Sequence, residues 1–132
     1  MESLRGDAMV LLLDDNELQL ATRKAILRQA GHHVLTALNA AEALKVVRHP
    51  EKSLALKLII TDHLMPGMCG DEFVREVRTT LPDVPILVIT GHPEAGGDYT
   101  GLNVELLPKP CGPELLLNRA ALALPHPLSR TA

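Results

Sequence analysis

The stretch Ala8-Met9-Val10-Leu11-Leu12-Leu13-Asp14-Asp15-Asn16 decides the fold. Its apolar run has no polar alternation, as in a strand buried on both faces, and two adjacent carboxylates end it. Three more runs end on polar groups: Leu56-Lys57-Leu58-Ile59-Ile60-Thr61 on Asp62, Pro85-Ile86-Leu87-Val88-Ile89 on Thr90, and Val104-Glu105-Leu106-Leu107-Pro108 on Lys109. If the runs are parallel strands of one sheet, Asp14, Asp15, Asp62, Thr90 and Lys109 emerge at one edge. Three carboxylates that close repel one another, and such a cluster asks for a cation; hard oxygen ligands suit Mg²⁺. The hydroxyl and the ammonium beside them suit a phosphoryl group.

Outward from these runs, helical segments alternate with strands. Asp15 or Asn16 caps a helix running to about Ala30, with Leu18, Ala21, Ala25, Ile26 and Leu27 at helical spacing and Gly31 as its C′ residue. His33 to Ala37 is a short strand, and Asn39 caps a helix with Ala40, Ala43, Leu44 and Val47 on one face. Residues 62–70 form a loop broken by Pro66, Gly67 and Gly70, and Asp71 to about Thr80 is helical, burying Phe73, Val74 and Val77. Gly91 to Gly101 reads as a weak, mobile helix, and Pro113 to about Leu124 as the last helix, with Leu115, Leu116 and Leu122 inward. Strand and helix alternate five times. This predicts an α/β fold: a flavodoxin-like, doubly wound, five-stranded parallel sheet of order 2-1-3-4-5 with helices on both faces. Its ligand crevice lies between strands 1 and 3, where the acidic ends meet.

The 132 residues favour one domain, and 46% apolar with 22% charged residues is an ordinary globular balance. With one Tyr, one Phe and no Trp, the core must be aliphatic. A net charge of −3 gives no electrostatic case for direct nucleic-acid binding. Cys69 and Cys111 are too few for a disulfide framework and read as reduced thiols of a cytoplasmic protein. Residues 1–7 carry no signal-peptide core, and no apolar stretch approaches the ~20 residues of a membrane span, so no membrane partner is expected. Residues 1–7 are expected to be a disordered lead-in, 8–124 the domain and 125–132 a frayed tail.

From about Met9 to Leu124 the chain resembles the receiver domain of two-component response regulators. The resemblance rests on Asp14-Asp15, on Asp62-x-x-Met65-Pro66-x-x-x-Gly70, on Thr90-Gly91 and on Lys109-Pro110, in this order and each at a predicted strand end. It implies a phosphorelay switch. A sensor histidine kinase or a histidine phosphotransfer protein donates a phosphoryl group to Asp62 with Mg²⁺ (Mn²⁺ as a substitute), and a downstream protein reads the changed face. Such a protein catalyses its own phosphorylation and dephosphorylation without being an enzyme of the usual kind. By the same resemblance Asp15, Asp62 and the Leu64 backbone carbonyl bind the ion, with Asp14 helping through a water. Lys109 pairs with the acceptor and then with a phosphoryl oxygen, while Thr90 moves toward the phosphoryl group as the switch.

The sequence departs from the family pattern in three places. Leu106 stands where an aromatic switch residue is frequent, a replacement common in receivers of hybrid kinases, and Cys111 stands where an aromatic often follows Lys-Pro. Leu64 and His92 occupy positions that line the path of attacking water, and are expected to set phosphoryl lifetime. Leu106 and Tyr99 are expected on the partner face. Two other functions compete. An aspartate-nucleophile phosphatase typically has a second aspartate two residues after the nucleophile, but here that residue is Leu64; a docking module without phosphorylation fits poorly with all five site residues present. No Gly-x-x-x-x-Gly-Lys is present for a P-loop. The chain reads as a stand-alone receiver or as a piece of a longer protein such as a hybrid kinase; Met1 with its short lead-in favours the former.

Overall fold

The computed structural model describes residues 9–124. The predicted lead-in, the strand start at Ala8 and the tail lie outside them. Five parallel strands, β1 (Met9–Leu13), β2 (His33–Ala37), β3 (Leu56–Asp62), β4 (Ile86–Thr90) and β5 (Glu105–Pro108), form one sheet in the order β2-β1-β3-β4-β5. Between them run α1 (Glu17–Gln29), α2 (Ala40–Arg48), α3 (Gly70–Thr80) and α4 (Pro113–Ala123), with a single helical turn at Lys52–Ala55. The fold is the predicted flavodoxin-like arrangement.

The pleat sorts the strand residues into two cores. Leu11, Leu13, Ile59, Ile86 and Val88 face one side and pack with Ala43, Val47, Phe73, Val74 and Val77 of α2 and α3. Val10, Leu12, Leu58, Ile60, Leu87, Ile89 and Leu107 face the other and pack with Leu20 and Leu27 of α1 and Leu116 and Ala120 of α4. The same parity carries Asp14, two residues past Leu12, and Asp62, two past Ile60, to the α1 side.

The predicted caps are in place. The Asn16 side chain accepts from the Gln19 N–H at 2.9 Å, and Asn39 does the same for Glu42 at 2.8 Å. Gly31 has φ +98°, as its C′ position requires.

The structure corrects four expectations. Leu18 is 77% exposed and Ala21 and Ala25 are also exposed; the buried row of α1 is Leu20, Arg23 and Leu27. The apolar spacing was therefore a poor guide, because the helix turns an arginine inward. Leu122 is 62% exposed, since the inward stripe of α4 is Leu116 and Ala120. The predicted helix over Gly91–Gly101 is a 3₁₀ helix, Pro93–Tyr99, consistent with the poor helix propensity of Gly96 and Gly97. Tyr99 is only 4% exposed and does not offer an aromatic surface to a partner.

Candidate functional site at the strand ends

The carboxyl ends of β1, β3, β4 and β5 bring the predicted residues together. Parallel pairing sets Leu13 beside Thr61 and Asp62 beside Ile89, so Asp14 and Asp62 end neighbouring strands. The Asp14 N–H donates to the Ala37 carbonyl at 3.2 Å, and the Lys109 N–H to the Thr90 carbonyl at 3.0 Å. These bonds extend the ladders one residue past the strands and hold both side chains at the edge. One oxygen each from Asp14, Asp15 and Asp62 lies within 4.8 Å of the others. Asp14 and Asp62 are buried, whereas Asp15 is exposed to solvent.

Lys109 Nζ lies 3.5 Å from Asp62 Oδ1 and remains partly exposed. The Lys109–Pro110 peptide is cis. Thr90 is buried, and its Oγ1 accepts the His92 N–H at 2.9 Å, which leaves the hydroxyl proton available to another acceptor. Leu64, two residues past Asp62, is 53% exposed, and the His92 ring is also exposed. Leu106 is partly buried and lines, with Thr90, Gly91, Leu107, Pro108 and Lys109, a groove of about 310 Å³.

Two features were not anticipated. Arg23 of α1 is buried and donates from Nη1 to Asp14 Oδ2 at 2.9 Å and to Asp62 Oδ1 at 3.3 Å. The sequence signal was its place three residues after Leu20 and four before Leu27, on one helical row. The second is a pair that involves the residue after Asp62: His63 Nδ1 and Tyr99 Oη lie 2.7 Å apart, both buried. The phenol occupies the space that a side chain at residue 70 would fill; a Cβ on Gly70 would meet Tyr99 Oη and stand 2.8 Å from the Asp62 carbonyl. Burial, helped by Asp71 and Asp98, pushes the Tyr99 phenol well above its ordinary range, so it stays protonated.

Burial pushes the Asp14 carboxyl up to about 6 from 3.8, and the neighbouring Asp62 pushes the same way; the Asn16 N–H and Arg23 pull it down. A folded value above the unfolded one means the fold binds more protons between pH 3.8 and about 6. Stability therefore falls as pH rises through that window and stays lowered above it. The full effect is about 3 kcal/mol at ~1.36 kcal/mol per unit. Asp14→Asn removes this titration, so the stability of the metal-free variant relative to the wild type is expected to rise by ~1–3 kcal/mol between about pH 4 and pH 7, on top of a pH-independent offset from the lost Arg23 pairing. Urea denaturation in chelator at both pH values measures it; a stability difference from the wild type that is the same at both pH values contradicts this account.

Among the described residues, no helix is long and apolar enough to cross a membrane. Residues 10–121 match the response regulator receiver domain family. The response regulator MprA of Mycobacterium leprae (strain TN) is 31% identical over 113 residues, 83% of this chain and 48% of MprA. The sensor kinase CckA of Brucella abortus (strain 2308) is 31% identical over 91 residues, 69% of this chain and 9% of the kinase. The chain thus spans about half the length of the MprA relatives and a small part of the kinase. Chemotaxis protein CheY4 of Vibrio cholerae superposes with a TM-score of 0.79 at 33% identity, covering 89% of this chain and 98% of CheY4. TrrA of Thermotoga maritima, solved in complex with Mg²⁺-BeF, superposes at 0.76 with 27% identity, covering 88% of this chain and 98% of TrrA. With its sheet order, acidic strand ends and sequence match in agreement, the chain belongs to the receiver domains of two-component response regulators.

Proposed function

We propose that the domain is a phosphorelay switch of the cytoplasm that accepts a phosphoryl group on Asp62 from a histidine kinase or a histidine phosphotransfer protein. The observation that carries this reading is the Asp62 carboxylate, grouped with Asp14 and Asp15 and 3.5 Å from Lys109 Nζ. The donor set fits a small hard cation. One oxygen from each of three carboxylates lies within 4.8 Å of the others, hard ligands of the kind Mg²⁺ takes, and exposed Asp15 gives an entry path. Asp15, Asp62 and the Leu64 carbonyl would hold the ion directly, with Asp14 behind them. Mg²⁺, when bound, offsets the repulsion between the acceptor carboxylate and an anionic donor.

An Asp62 oxygen attacks phosphorus and forms an acyl phosphate. The phosphorus–nitrogen bond breaks, and its electron pair leaves with the imidazole, which takes up a proton. Lys109 follows the negative charge from the carboxylate to a phosphoryl oxygen. The Thr90 hydroxyl donates its proton to another, because its oxygen already accepts from His92. Drawing Thr90 and Lys109 inward reshapes the groove they share with Leu106. A downstream protein docks on that face, built from residues 91–101, 104–107 and 113–124.

Acetyl phosphate with Mg²⁺ tests this reading. One phosphoryl group per chain, labile to hydroxylamine, is expected. Release of phosphate from many small phosphomonoesters would favour the phosphatase reading, and no incorporation from any small donor or kinase would favour a docking module.

Leu64 and His92 flank the approach of hydrolytic water. Leu64→Asn replaces an apolar group by one that orients water and is expected to speed loss of the phosphoryl group by up to about tenfold, ~1.4 kcal/mol of barrier. Decay of the phosphorylated form, followed by mass spectrometry, measures it. An unchanged rate removes Leu64 from the control of lifetime.

A further inference from the structure

A guanidinium does not lose its charge in a protein, so burying one demands compensating anions. The Arg23 side chain is only 8% exposed, and a single nitrogen, Nη1, serves both Asp14 and Asp62. Its helical row places it there: Leu20 and Leu27 anchor the same face of α1 in the core beneath. Asp62 Oδ1 thus lies between two cations, Arg23 at 3.3 Å and Lys109 at 3.5 Å. Three carboxylates and two basic groups leave a local formal charge of −1. Without Arg23 the count would be −2. The carboxylates that Arg23 bridges are also two of the three that form the acidic cluster.

From this geometry we infer that Arg23 is a resident cation of the site. It fixes Asp14 and the acceptor carboxylate, and it competes with the divalent ion for both. The inference rests on the phosphoacceptor reading above. A divalent ion entering between Asp14, Asp15 and Asp62 meets the repulsion of Arg23, whose Nη1 already holds one oxygen of Asp14 and one of Asp62. The site therefore binds Mg²⁺ weakly and gives up part of its affinity to hold Asp62 in one orientation. Arg23 is a positioning residue; it acts through the carboxylates it holds.

The test is Mg²⁺ affinity, measured by calorimetry on the unphosphorylated chain for the wild type, Arg23→Met, Arg23→Gln and Arg23→Lys. Circular dichroism checks that each is folded. Removing the charge is expected to tighten Mg²⁺ binding about tenfold in Arg23→Met, with the same direction in Arg23→Gln, which keeps a donor near Asp14. Arg23→Lys keeps the charge and is expected to stay within about threefold of the wild type. If Arg23→Met does not fold, Arg23→Gln carries the same expectation. Folded uncharged variants that bind Mg²⁺ no more tightly than the wild type would overturn the competition while leaving the phosphoacceptor reading in place. If neither the wild type nor the uncharged variants bind Mg²⁺, the metal site and this inference fall together.

Discussion

Asp62→Asn is expected to abolish phosphoryl incorporation while leaving the chain folded. The amide has the shape of the carboxylate but neither its charge nor its nucleophilic oxygen, so no acyl phosphate forms. The two other carboxylates are poor substitutes for it. Asp14 is buried, accepts the Asn16 N–H and is tied to Arg23. Asp15 is exposed and lies beyond the strand that positions Asp14. The fold tolerates the change because the substitution removes one of three mutually repelling charges and no apolar contact. Intact-mass measurement after acetyl phosphate and Mg²⁺ distinguishes the outcomes. Incorporation at the wild-type level would mean that another residue is the acceptor, and the role assigned to Asp62 would be wrong.

The strands and their polar ends were legible because a parallel strand covered on both faces must be apolar throughout. Leu11, Leu12 and Leu13 face opposite cores in turn, so no polar residue interrupts them. The caps Asn16 and Asn39 were legible because a side-chain oxygen at a helix start satisfies N–H groups that have no other partner. Arg23 was not. A basic residue in a helix ordinarily lies in solvent, and only the strand parity, which turns Asp14 and Asp62 toward α1, gives its charge a reason to be inside. Leu18 misled for the opposite cause: one apolar residue outside the buried row costs little to expose. Tyr99 was obscured by its Gly-rich surroundings, which have no periodicity. Its burial depends on Gly70, a residue remote in sequence whose missing side chain makes room for the phenol.

Phe73→Ala is expected to be the most destabilising single change in the helices around the site. Phe73 is the chain's one phenylalanine and is fully buried. It packs in the core that holds Leu11, Leu13, Ile59 and Val88. Truncation loses the transfer free energy of the ring and leaves a cavity that surrounding aliphatic groups fill only in part, a cost of about 3–5 kcal/mol. Domains of this size hold roughly 5–15 kcal/mol in all, so the melting temperature should fall by roughly 10–20 °C. The loss should reach the site as well. Phe73 lies in the first turn of α3, where its N–H donates to the Cys69 carbonyl at 3.0 Å, and the Gly70 N–H donates to the His63 carbonyl at 2.7 Å. The loop of residues 63–69 therefore shares its anchorage with this ring, and loosening α3 lowers the cost of opening it. Exposed Leu122 provides the contrast: Leu122→Ala is expected to change stability by no more than about 0.5 kcal/mol. Urea denaturation measures both, with the midpoint moving and the slope preserved. A Phe73→Ala loss below about 1 kcal/mol would mean that the core relaxes around the missing ring, and that α3 is held by its flanking aliphatic contacts.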